Sequence, residues 1–244
     1  MEDPPPILLV DGIWVKIAYP TGEIVEDAQG RRWAATRQQK RVVLSALGGW
    51  PDGHWEIVYW QVASGENQPA WAAFFQALAA KGMTEKTTKL VASDGATGLE
   101  NALAEHLRGV PHQRCVFHKI KNIADHLVFH ELEVDDDLDD AKAVRKAKQA
   151  RKKAMLADAG QLYASDGEGD IRAQAAAFRQ KWEVREPKAV ANFFTDFDKT
   201  LSYVQVDFPR ALLPLIRTTN LLERCHKEVR RNQFIACPCR APIR

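Results

Sequence analysis

Lys89-Leu90-Val91-Ala92-Ser93-Asp94-Gly95-Ala96-Thr97-Gly98-Leu99 is the stretch from which the fold of this 244-residue chain is read. A short apolar run ends in an aspartate, small residues follow, and a helical pattern begins. That order is how a buried strand delivers a carboxylate to the edge of a sheet. One such aspartate is commonplace. Its weight depends on which other acids the fold can bring to it.

Upstream, Ile7-Leu8-Leu9-Val10-Asp11-Gly12-Ile13-Trp14-Val15-Lys16-Ile17 is apolar at nearly every position and reads as a central strand buried on both faces. Asp11 interrupts it. A charge there is costly unless it is paired or holds a metal; an aspartate at a bulge, helped by Gly12, is the plain alternative. Residues 18–40, with Pro20, Gly22, Gly30 and many charges, are predicted to be a long polar connection. Strands are predicted at 41–47 and 55–63, with a turn at Pro51-Asp52-Gly53 between them, so the first three strands form an antiparallel meander. A helix follows, capped by Asn67 and carrying Pro69 in its first turn. Its stripe of Trp71, Phe74, Phe75 and Leu78 has the spacing of a core face rather than a base-stacking surface. The opening stretch supplies a fourth strand at 88–92 and a helix at 98–108. A fifth strand at 113–116 and a helix at 118–130 come next. Strands separated by helices add in parallel.

Composition then changes. Residues 131–140 are strongly acidic and read as a solvated helix start, and residues 141–200 are rich in alanine, lysine, arginine and glutamine. They read as helices with turns near Gly160 and at 166–169. The expected organisation is a core at 1–130, a helical insertion at 131–205, a closing helix within 206–231 that begins near Thr218, and an irregular tail at 232–244. Asn220, Glu223, Lys227 and Arg230 share one face of that closing helix. This is the pattern of an ion-paired surface helix, or of one that meets a DNA backbone beside a metal site.

The formal net charge of +2 does not by itself announce a nucleic-acid binder, but the bases cluster at 142–153 and 217–231. A hydrophobic content of 45% supports a sizeable core. Four cysteines in a chain of this length do not form a secreted disulfide framework, and the acidic, proline-rich start is the opposite of a signal peptide. No apolar run reaches the ~18 residues of a membrane span. A cytoplasmic protein with no membrane partner is the expectation.

Four segments together resemble the Mutator-type transposases of bacterial insertion sequences, which use a DDE catalytic domain. They are Leu9-Val10-Asp11-Gly12; Ala92-Ser93-Asp94-Gly95 with Gly98-Leu99; Arg114-Cys115-Val116-Phe117-His118-Lys119-Ile120-Lys121-Asn122; and Arg217-Thr218-Thr219-Asn220-Leu221-Leu222-Glu223-Arg224. They come in the family's order and span about 9 to 231. The resemblance implies an α/β fold: a ribonuclease-H-like mixed five-stranded sheet flanked by helices, with an α-helical insertion before the last helix. It makes Asp11, Asp94 and Glu223 the catalytic and metal-ligating acids, with two Mg²⁺ (or Mn²⁺) ions as cofactors. Hard cations prefer such oxygen ligands, and two of them can hold the attacking and leaving oxygens of an in-line displacement. The implied activity is metal-dependent DNA strand cleavage and strand transfer of an insertion sequence, with no serine or tyrosine nucleophile. The implied partners are DNA, as element ends and target, and further copies of the chain, since two ends must be held together. Glu228 competes with Glu223 as third acid, but lies about 140° away around the helix, and the match through Thr219-Asn220 selects Glu223.

The candidate DNA contacts are His118, Lys119, Lys121, Arg217, Asn220, Arg224, Lys227, Arg230 and Arg231. Cys115-x-x-His118 has the spacing of half a zinc site, which Cys225, His226, Cys237 and Cys239 could complete only if the tail folded back. A buried Cys115 with His118 as an auxiliary phosphate contact is the other reading. Family members usually carry a DNA-recognition region before the first acid, whereas ten residues precede Asp11 here, and the tail departs from the family's helical pattern. A copy truncated at both ends is therefore expected. A non-catalytic DNA-binding remnant and a ribonuclease-H-like nuclease are the alternatives.

Overall fold

The computed structural model describes residues 3–132, 140–165 and 167–233. Most of the acidic run and nearly all of the tail, for which a helix start and an irregular end were expected, lie outside the described residues. Five strands, β1 (Ile7–Glu26), β2 (Arg32–Gly49), β3 (Trp55–Ala63), β4 (Leu90–Ser93) and β5 (His112–Arg114), make one sheet of order β3-β2-β1-β4-β5. The first three pair antiparallel and β4 joins β1 in parallel. With helices flanking it, this mixed open sheet is the α/β, ribonuclease-H-like arrangement expected. The chain divides into two compact units, residues 1–110 with 219–244, and residues 111–218.

In the first unit, β1 is central, and Ile7, Leu8, Leu9 and Val10 are fully buried. One face of the sheet carries Leu8, Val10, Val42, Leu44, Ala46 and Val91. Against it pack α1 (Gln68–Ala80), through Trp71, Phe74, Phe75 and Leu78, and α2 (Thr97–His106), through Leu99, Ala102 and Leu103. The aromatic stripe is core, with Trp71 and Phe74 edge to face at 5.4 Å between ring centres. Asn67 caps α1 by accepting from Ala70 N at 3.0 Å, and Pro69 sits in the first turn.

Residues 18–40 are not a loop. β1 and β2 continue through them as a long two-stranded ribbon, paired from Lys16↔Lys40 out to Glu26↔Arg32, with a register shift between Pro20 and Ile24. The ribbon stands beyond the core, so both of its faces meet water and its composition is polar, which imitates a loop. Its backbone groups are satisfied across the pair. The cations of Lys40 and Arg41 lie over the rings of Trp14 and Tyr19. Asp27 closes the tip by accepting from Gln29 N and Arg31 N at 3.0 and 2.9 Å. The Arg31 backbone N–H does most to hold the Asp27 carboxyl below its ordinary range.

The second unit holds β5, α3 (Val116–Ile123), α4 (Asp140–Gln161), α5 (Glu168–Trp182), α6 (Pro187–Thr195) and the short α7 (Ser202–Gln205) and α8 (Leu213–Ile216). Two expectations shift here. The helix expected at 118–130 starts at Val116 and gives way to a 3₁₀ turn at Ala124–His126. α4 runs through Gly160 rather than turning there. Phe178, Phe193, Phe194 and Phe197 form a contiguous ring cluster. Gln113, fully buried, donates to Thr200 O and accepts from Tyr203 N, which ties β5 to α7 and the turn before it. Glu186 is also fully buried. Its carboxylate accepts from Val128 N at 2.7 Å and Phe129 N at 3.1 Å, and Arg151 lies 3.5 Å away. Among the described residues no helix is long and apolar enough to cross a membrane.

Candidate active site: acids on the face of the sheet away from α1 and α2

The parallel ladder between β1 and β4 pairs Leu8 with Val91 and Leu9 with Ala92. Two residues further along each strand stand Asp11 and Asp94, so the register brings both aspartates to the same level of neighbouring strands. Alternation then fixes their side. Leu8, Val10 and Val91 point into the α1–α2 core, so Asp11 and Asp94 belong to the opposite face. Both are half-buried. Asp11 Oδ1 accepts from Gly12 N at 2.8 Å, and Asp94 Oδ1 accepts from Ala96 N at 3.0 Å, so each carboxylate is oriented by its own turn.

The closing helix α9 (Asn220–Gln233) packs against β1 and β2. Its cap is Thr219 rather than Thr218. Thr219 O accepts from Glu223 N at 3.0 Å, and the Thr219 hydroxyl donates to Glu223 Oε1 at 3.1 Å. Thr219, Leu222 and His226 form the buried stripe of the helix. His226, only 6% exposed, places Nδ1 3.4 Å from Asp11 Oδ2. Its Nε2 has no hydrogen-bond partner among the described residues. Glu223 is half-buried and precedes His226 by three residues, on a neighbouring line of the same helix. Thus α9 meets the acidic face through His226, with Glu223 beside it.

A residue that sequence reasoning missed stands in the same place. Glu66 lies in the short connection between β3 and α1. Trp14, Val42 and Ala63 form one row across β1, β2 and β3, so the chain leaving β3 emerges at the level of Trp14. Glu66 then folds back over Gly12. A Cβ at Gly12 would lie 2.6 Å from Glu66 Oε1, so the missing side chain is what lets the carboxylate settle there. The Trp14 indole donates to it. Burial, then the charges of Asp11 and Asp94, push the Glu66 carboxyl above its ordinary range, and the Trp14 bond and His226 oppose them. The loops carrying Glu66 and Asp94 are held close where Gly98 approaches the start of α1: a Cβ there would meet Gln68 N at 2.9 Å.

Of the candidate DNA contacts, Asn220, Arg224, Lys227, Arg230 and Arg231 are exposed along α9 in the unit that holds the acids. His118, Lys119, Lys121 and Arg217 belong to the second unit. There Lys121 is exposed and His118 half-buried, with its ring 5.7 Å from that of Phe117. Lys119 is buried, donates to Asn192 O at 2.8 Å and lies 3.7 Å from Asp196. Arg217 donates to Tyr163 O, and its own carbonyl accepts from Val116 N. Lys119 and Arg217 thus hold their unit together. Cys115 is buried at the start of α3, and Cys225 is half-buried on α9.

The donor chemistry of the acidic face fits a hard divalent cation. Every acid there offers oxygen, and a concentration of half-buried carboxylates disfavours itself unless positive charge joins it. In the arrangement seen, no three His, Cys, Asp or Glu side chains among the described residues are grouped closely enough to enclose an ion. Asp11 and Asp94, at one level of adjacent strands, are the pair best placed to share a cation, with Glu66 and Glu223 at its borders.

Residues 25–135 and 140–237 match the family model described as transposase, Mutator family. The chain is 29% identical over 195 residues to the transposase for insertion sequence element ISRM5 of Rhizobium meliloti (strain 1021), covering 80% of this chain and 43% of that protein. It is 28% identical over 221 residues to the transposase for IS406 of Burkholderia multivorans, covering 89% and 51%. A shorter match, 35% identical over 91 residues, is to the transposase for IS256 in transposon Tn4001 of Staphylococcus aureus, covering 36% and 23%. The chain spans about half the length of the curated relatives that it matches along most of its own length.

Proposed function

This chain belongs to the Mutator family of transposases, and from that premise we propose that it carries a DDE catalytic site for metal-dependent DNA strand cleavage and strand transfer of an insertion sequence. The observation that carries the reading is the β1–β4 register, which sets Asp11 and Asp94 level on adjacent strands and on the face that α9 covers. Two acids 83 residues apart in sequence become neighbours through the sheet.

Asp11, Asp94 and Glu223 would hold Mg²⁺ or Mn²⁺. The bound ions would supply Lewis acidity at the scissile phosphate and lower the pKa of the attacking water or 3′-hydroxyl. The chain's own work is placement. Asp11 and Asp94 are each fixed by a backbone N–H, so that another rotamer would lose a hydrogen bond. Thr219 holds Glu223 in the first turn of α9. His226 donates toward the second oxygen of Asp11 and restrains its plane. The exposed cations Arg224, Lys227, Arg230 and Arg231 line the same helix and suit a phosphate backbone, whose contacts position a duplex without reading its sequence. Strand transfer joins two element ends, so copies of the chain would act together on DNA.

The test is a cleavage and joining assay on end-bearing duplex DNA, with and without Mg²⁺ or Mn²⁺. Nicking followed by joining of the new 3′ end, abolished by EDTA, is expected. Metal-independent DNA binding with no cleavage overturns the catalytic reading in favour of a remnant. Cleavage without joining overturns the transposase reading in favour of a nuclease.

A further inference from the structure

We propose that Glu66 is a fourth carboxylate of this site, which shares the divalent cation with Asp11 and Asp94 from the β3–α1 connection; the proposal rests on the reading of the acidic face as a metal site. Three observations carry it. Glu66 lies over Gly12, in space left by a missing side chain one residue from Asp11. The Trp14 indole fixes it there, although a glutamate in a connecting loop could swing toward water. It also interacts with both Asp11 and Asp94, and with His226, so it addresses the acidic cluster as a whole rather than one neighbour.

A purely structural carboxylate is an unsatisfactory account of that placement. Structural acids stand beside donors that favour their charge, as Glu186 does with two backbone N–H groups and Arg151. Glu66 stands half-buried beside two like charges, with burial acting against its ionised form. Such an arrangement costs stability in the metal-free protein and recovers it when a cation arrives. The partnerless Nε2 of the buried His226, which meets Asp11 on its other side, is a second sign that this face is built around something besides the protein. The ligand class is a divalent cation with an all-oxygen preference, Mg²⁺ or Mn²⁺.

The experiment compares Mn²⁺ binding by calorimetry, and thermal unfolding with and without MnCl₂, for the full chain and its variants. Glu66→Gln keeps the shape and the acceptor for Trp14 but removes the charge. It is expected to raise the melting temperature of the metal-free protein, to shrink the Mn²⁺-induced increase, and to weaken Mn²⁺ binding by roughly 10–100-fold, the scale of losing a supporting group at a metal site. Gly12→Ala displaces the carboxylate at the flexible end of its side chain without removing it, and should weaken Mn²⁺ binding in the same direction. A Glu66→Gln protein that melts lower without metal and binds Mn²⁺ as the wild type does overturns the proposal. Asp94→Asn separates the two levels. If it loses Mn²⁺ while Glu66→Gln keeps it, Glu66 is no ligand and the site reading stands. If both keep it, the site reading fails and takes the Glu66 proposal with it.

Discussion

Asp94→Asn is expected to reduce metal-dependent strand cleavage by more than about a hundredfold, the upper end of what loss of a supporting group costs at a metal site, while leaving the fold intact. The substitution is nearly isosteric. The side-chain oxygen of the introduced amide would still accept from the N–H of Ala96, so the turn that now depends on Asp94 Oδ1 survives. What is lost is charge and one hard oxygen, at the level of the sheet where Asp11 stands opposite. The unfolding temperature without metal should stay level or rise, since Asp94 is one of the charges that oppose Glu66. Cleavage within tenfold of wild type at saturating Mg²⁺ would contradict the role given to Asp94. A variant that had lost helical circular dichroism would not count as a test, and Asp94→Glu, which keeps the charge at a shifted position, then serves as the second variant.

The largest expected effect on stability is far from these acids, at Glu186. Its side chain is fully buried, accepts from Val128 N and Phe129 N, and lies against Arg151, itself almost covered. Glu186→Ala leaves two buried N–H groups and a guanidinium without their acceptor, and should cost about 3–5 kcal/mol, as breaking one side of a buried pair does. Urea denaturation followed by circular dichroism measures the loss. Amide exchange should locate it in residues 111–218, the unit that contains the whole network. A cost under about 1 kcal/mol, within the range of an exposed ion pair, would mean that water replaces the carboxylate and that the network is not needed.

How much of this was legible in the sequence follows from what each signal measures. β3 and β4, the capped helix α1 and the core stripe of Trp71, Phe74, Phe75 and Leu78 were readable because burial on one side leaves a periodic apolar pattern. The ribbon formed by residues 18–40 left none. Its pairing buries little on either face, and only cross-strand hydrogen bonds hold it as strand. Asp11 and Asp94 stood out as charges ending or interrupting apolar runs, and the sheet register then brought them level. Glu66 carried no such mark. It sits between Gly65 and the cap Asn67, where a charged residue reads as ordinary loop. One signal could have found it: in a three-stranded meander β3 runs parallel to β1, so the residues after β3 emerge toward the end of the sheet where Asp11 and Asp94 lie. Lys119 shows the converse. A basic side chain in a basic segment looked available to DNA, yet it is buried on Asn192 and Asp196, groups more than 70 residues away that no local pattern reveals.

The central claim, that Asp11 and Asp94 hold a divalent cation together, is tested most directly by anomalous scattering from crystals of this chain soaked in Mn²⁺. The account predicts a manganese peak ligated by both Asp11 and Asp94, with Glu223 or Glu66 completing the oxygen shell. Saturating Mn²⁺ with no peak between the two aspartates, or a peak held by other residues while theirs is empty, would contradict it.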